Sequence, residues 1–94
     1  MNSDIKSIRV SATGDTTLGR ARIVALSVLH TAAGAGRLTL RNTSATGSIL
    51  IDLDFDAAAD TNYMELPHGG VLFTDLVWVS AATNVTAVTL FYIG

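Results

Sequence analysis

Short apolar or in-out runs alternate along the chain with clusters of Gly, Asn, Asp, Ser and Thr at intervals of about ten residues, a cadence that predicts strands and turns. Residues 5–12 place Ile8, Val10 and Ala12 on one face and Arg9 and Ser11 on the other, which is the period of a half-buried strand. After Thr13-Gly14-Asp15, residues 20–30 set Ile23, Ala25 and Ser27 against Val24, Leu26 and Val28. Both faces are apolar over much of this run, as in a central strand. Ala32-Ala33-Gly34-Ala35-Gly36 supplies a hairpin loop, and Arg37-Leu38-Thr39-Leu40-Arg41 beyond it turns Leu38 and Leu40 to the core.

Residues 42–47 are turn chemistry, and residues 48–55 then oppose Ile49, Ile51, Leu53 and Phe55 to Asp52 and Asp54. An Ala-rich loop over 56–60 leads to a short strand over 62–66 and a tight turn at Pro67-His68-Gly69-Gly70. A run over 71–80, broken near Asp75, and a nearly continuous apolar strand over 85–93 complete the chain. Alanine favours helix, but Ala32–Ala35 and residues 56–60 are too short to nucleate one.

These elements predict one all-β domain over residues 1–94: a small antiparallel β-sandwich, jelly-roll-like or Greek-key, of about seven or eight short strands. Residues 1–6 form a polar N-terminal arm that the core does not fix. The expected core is Ile8, Val10, Ile23, Leu38, Leu40, Ile49, Ile51, Leu53, Val77 and Phe91.

Composition adds a requirement. Hydrophobic residues make up 49% of the chain and charged residues 15%, against about 25% charged in ordinary soluble domains. A domain this small leaves part of that apolar surplus at its surface, which is the signature of a subunit packed against other protein. The formal charge of −2, with 6 Lys and Arg scattered along the chain, provides no basic footprint for nucleic acid. With no Cys there are neither disulfides nor thiolate metal sites. No apolar run reaches the ~18 to 20 residues of a membrane span, and Met1-Asn2-Ser3-Asp4 does not open a signal peptide.

Candidate chemistry is sparse. Asp52, Asp54 and Asp56 share the spacing that opens a calcium loop, but Ala57 stands where that loop needs Gly and Tyr63 where it needs Glu. On a strand they form a solvated acidic face, with inter-subunit pairing or an ion site at the strand edge as competing uses, and no essential metal is expected. His30 and His68 lie beside turn residues without zinc spacing, and read as loop-edge side chains. No Gly-x-Ser-x-Gly elbow is present, and no cofactor is expected. Gly34-Ala35-Gly36 precedes a strand, not the helix a dinucleotide fingerprint requires. Asn42-Thr43-Ser44 and Asn84-Val85-Thr86 fit the glycosylation pattern but read as turns. Trp78, Phe73, Phe91 and Tyr92 serve a core or subunit interface, with a sugar- or peptide-binding surface as the alternative.

The succession Gly19-Arg20-Ala21-Arg22, Gly36–Asn42, Ile49–Asp54, Pro67–Phe73 and Thr83–Tyr92 resembles the small virion proteins of short-tailed marine phages, capsid decoration (cement) proteins and head knobs. The resemblance spans nearly the whole chain, rests on hairpin cadence and turn residues, and includes no catalytic signature. It implies a non-enzymatic structural protein, made in the host cytoplasm and carried on the virion. There it binds the outer capsid shell in many copies and stabilises contacts between major capsid protein subunits, with self-association, including a trimer, on the particle. The alternatives are a tail adaptor or fibre-attachment protein, or a carbohydrate- or receptor-binding module using Trp78 and the loop tips. Within this reading the arm Met1–Lys6 and the open loop Asp15–Arg20 are the candidate contacts. Leu18 is the apolar anchor, and Arg20 and Arg22 are favoured over Lys6 because the guanidinium fork pairs bidentately with carboxylates.

Overall fold

Alternation and turn residues produce strands throughout the computed structural model, which describes residues 5–57 and 59–94. They are β1 Lys6–Val10, β2 Gly14–Asp15, β3 Ala21–His30, β4 Gly36–Asn42, β5 Ile49–Phe55, β6 Asp60–Glu65, β7 Val71–Phe73, β8 Val77–Thr83 and β9 Val85–Ile93. A 3₁₀ turn, Pro67–Gly69, joins β6 to β7. All pairings are antiparallel, in two sheets: β1-β9-β3-β6, with β7 also on β3, and β2-β8-β4-β5. The all-β, sandwich-like architecture matches the expectation from the sequence. The strand count rises to nine among the described residues because Gly14 and Asp15 form a two-residue pairing with Val79 and Trp78. The break expected near Asp75 separates β7 from β8. Lys6, assigned to the arm, pairs with Tyr92 as the first residue of β1; Met1–Asp4 lie outside the described residues.

The core lies between the sheets. Ile23, Leu26, Val28, Phe73, Val88 and Leu90 come from one sheet, and Leu38, Leu40, Ile51, Phe55, Val77 and Val79 from the other. Ile8, Val10 and Leu53 pack against this cluster half-buried. Two expected core residues lie elsewhere. Ile49 is 46% exposed: between the Leu40–Ile51 and Arg41–Ile49 pairs, β5 carries the extra residue Leu50, and this bulge turns Leu50 toward the core and Ile49 outward. Phe91 stands on the outer face because its neighbours Leu90 and Tyr92 take the inner side of β9.

A second bulge reverses β3. Ile23 pairs with Tyr92 and Ala25 with Phe91, leaving Val24 as the extra residue. Before it, Ala21 and Ile23 point inward; beyond it, Leu26, Val28 and His30 do. His30 is therefore buried, not a loop-edge side chain. It stacks on Phe55 with ring centroids 5.0 Å apart, pairs through Nε2 with Asn62 Nδ2 at 3.0 Å, and leaves Nδ1 without a partner among the described residues.

Candidate functional site

The two outer faces differ in chemistry. On β2-β8-β4-β5 the side chains pair among themselves. Arg37 donates from Nε to Asp54 Oδ1 at 2.9 Å, Thr39 Oγ1 donates to Asp52 Oδ1 at 2.8 Å, and Arg41 donates to Ser80 Oγ at 3.1 Å and to the Gly47 carbonyl oxygen at 2.8 Å. Asp52 and Asp54 are thus engaged across the β4–β5 ladder, whereas Asp56, expected on the same strand face, lies just beyond the end of β5. Among the described residues no three His, Asp or Glu side chains come together as a metal site. Trp78 is half-buried on β8, beside Asp15 and Arg41 in register.

The hydrogen bond from Arg37, reinforced by its charge, holds the Asp54 carboxyl below the usual carboxylate range, and the same contact raises Arg37. A lowered acid contributes stability above its unfolded pKa and loses it as pH falls through its folded one. Both side chains are exposed, so the contribution is small. Asp54→Asn should lower the melting temperature only slightly at neutral pH, and by progressively less as the pH falls through the lowered folded pKa of the wild-type carboxyl; a drop that does not shrink with falling pH would assign Asp54 a role other than ion pairing.

The outer face of β1-β9-β3-β6 is built differently. By register, Phe91 and Thr89 of β9 flank Ala25 and Ser27 of β3, which in turn flank Glu65 and Tyr63 of β6. Small residues on the middle strand and larger ones beside it leave a trough, an open hollow of about 320 Å³ lined by Ile5, Val24, Ala25, Tyr63, Glu65 and Phe91. Tyr63 meets Phe91 edge to face, with centroids 6.1 Å apart at 74°. Of the large apolar side chains exposed among the described residues, Ile5 and Tyr63, each 59% exposed, both line this trough. The bulge at Val24 matters here: it brings two successive β3 residues, Val24 and Ala25, to the same hollow.

The residues singled out from the sequence are spread over the domain. Leu18, the expected anchor, is 8% exposed and belongs to the core cluster. The segment before it is not open: Thr16 Oγ1 donates to the Val77 carbonyl at 2.9 Å, the Leu18 N–H donates to Thr16 Oγ1 at 3.3 Å, and the Leu18 carbonyl accepts the Val77 N–H at 3.4 Å. These bonds lay residues 16–18 along the start of β8 and seat Leu18 inside, where no partner reaches it. Arg20 and Arg22 are exposed and line a second, smaller hollow of about 230 Å³ with Leu72 and Ile93. Lys6 donates from Nζ to the Gly94 carbonyl oxygen at 3.1 Å. The structure therefore brings Arg20 and Arg22 together, leaves Lys6 at the strand edge, and places Trp78 on the other sheet.

Of the trough residues, the sequence points to Phe91 as a core residue and, with the other large aromatics, as part of a core or subunit interface, and it singles out no role for Ile5, Val24, Tyr63 and Glu65. The local signal was the extra apolar face of residues 20–30 and 85–93, which two inward-facing alternations could not both absorb. Asn42 and Asn84 do the work of turns: Asn84, at φ 54°, donates its amide to the Ala35 carbonyl at 3.1 Å where the chain crosses between sheets, and Asn42 donates to Thr74 Oγ1 at 2.9 Å. No protein-family model, characterised protein or solved structure matches the chain.

Proposed function

We propose that the chain is a non-enzymatic structural protein of a phage particle, a decoration protein that lays the outer face of its β1-β9-β3-β6 sheet on the capsid shell in many copies and ties neighbouring major capsid subunits together. The observation that carries the docking part is the contrast between the faces. One satisfies its polar groups internally through Arg37, Thr39, Arg41, Asp52 and Asp54. The other presents Ile5, Tyr63 and Phe91 around an open trough. Apolar surface displayed in this way gains free energy when another protein covers it. A shell supplies many equivalent sites, so a modest single contact suffices for retention when neighbouring copies also touch. The capsid as partner rests on the resemblance of the turn and strand succession to decoration proteins.

Two measurements test this reading. Quantitative mass spectrometry of purified particles should find the chain in hundreds of copies, whereas about six or twelve would move it to a tail ring. Its absence from particles would defeat the virion assignment altogether. Phe91→Glu should fold as the wild type does, because the site is on the outer face, and should lose at least about tenfold in occupancy of undecorated shells, a charge at the centre of an apolar contact being costly to cover. Full occupancy by a folded Phe91→Glu would remove this face from the contact.

A further inference from the structure

Resting on that docking reading, we infer that the trough accepts an extended partner segment carrying a basic side chain, best an arginine, between apolar neighbours, with the cation against Glu65 and its stem laid over the Tyr63–Phe91 pair. Glu65 is the one charged residue lining the trough, whose other walls are aliphatic and aromatic with the Tyr63 hydroxyl as a further polar group. Among the described residues the ion pairs are those of Arg37 with Asp52 and Asp54 on the opposite sheet, so Glu65 is not engaged in one, and its side chain makes no hydrogen bond to another described residue. Arg9 is on β1, with β9 and β3 standing between it and β6 in the order β1-β9-β3-β6, and Arg22 lies toward the Leu72 and Ile93 end of β3.

A purely apolar occupant would cover this carboxylate without replacing its water, which is costly. An acidic occupant would add repulsion. A guanidinium removes both problems: its fork pairs bidentately with a carboxylate, and its planar face is attracted to aromatic rings within about 6 Å. The geometry offers both partners at once, because Tyr63 and Glu65 are i and i+2 on β6 and so share a face, and Glu65 sits opposite Ala25, whose methyl leaves the space open. The apolar neighbours of the arginine would then meet Ile5 and Val24 at the rim.

The test is an amide-resolved NMR titration of the full chain with three acetylated, amidated tripeptides, in which arginine, glutamine or glutamate stands between two isoleucines. The arginine peptide should shift the amides of Tyr63, Glu65 and Phe91 and bind about fivefold tighter than the glutamine peptide at low salt, with the glutamate peptide weakest. Glu65→Gln should erase the preference for arginine and leave the affinity for the glutamine peptide as it was. Equal affinity for the arginine and glutamine peptides, or a preference that survives in Glu65→Gln, overturns the assignment of a basic occupant while the docking face stands. Failure of every peptide to shift the trough amides overturns both.

Discussion

Phe73→Ala should cost about 3 to 5 kcal/mol, the range for truncating a buried aromatic, and lower the melting temperature by more than about 12 °C for a domain of this size. Phe73 has no exposed surface and heads the fully buried side chains ordered by volume. Its strand, β7, is only 3 residues long and is held to β3 by the pairs Ala21–Phe73, Arg22–Leu72 and Ile23–Val71. So short a ladder has little backbone pairing of its own, and the ring is what ties this part of the edge to the core. The loss approaches the whole stability expected of so small a chain, roughly 5 to 14 kcal/mol. Denaturant titration followed by far-ultraviolet circular dichroism reads it directly, and a midpoint unchanged from wild type would show that Phe73 does not anchor the core.

Gly70→Ala is expected to match that loss without removing a single contact. Gly70 sits at φ 108° and ψ −177°, a region essentially closed to residues with a Cβ. A methyl there would also run into the Ile23 carbonyl oxygen and crowd the Val24 Cα. Those are backbone atoms of β3 at the bulge, so they cannot swing aside as a side-chain tip could. Conformational strain of about 1 to 3 kcal/mol and the steric displacement of β3 together put the cost at about 3 kcal/mol or more. The neighbouring Gly69 separates the two causes: at φ 78° its Cβ would meet nothing within 4 Å, so Gly69→Ala should show conformational strain alone, about 1 to 2 kcal/mol. Equal destabilisation of the two variants would mean that the close approach to β3 contributes nothing. The displacement should also disturb the trough, because Val24 lines it, and Gly70→Ala should weaken any ligand of that face more than Gly69→Ala does.

The all-β class, the turns and the inner face of β4 were legible in the sequence because they are local. Leu38 and Leu40 alternate with Arg37, Thr39 and Arg41, and Ile51, Leu53 and Phe55 with Asp52 and Asp54, so the period of two and the polarity contrast assign each face without knowledge of any partner. The same contrast foretold the charged outer face on which Arg37 meets Asp54. Apolar excess over charge likewise indicated that large apolar side chains would stand at the surface, as Ile5 and Tyr63 do.

Where both faces of a strand are apolar, alternation has two equally good phases, and only packing chooses between them. In β9 the choice fell on Val88 and Leu90 as the inner set and left Phe91 outside. In β3 and β5 single-residue bulges at Val24 and Leu50 switch the phase within the strand, sending His30 inward and Ile49 outward; a bulge is a property of two strands in register and leaves no mark in one of them alone. Leu18 was drawn into the core by hydrogen bonds from Thr16 to Val77, 61 residues further along the chain. The trough has the same origin. Ile5, Val24, Ala25, Tyr63, Glu65 and Phe91 come from four separate stretches of sequence, and their convergence was decided by strand order and register, which are free energies of the whole sandwich and not of any segment.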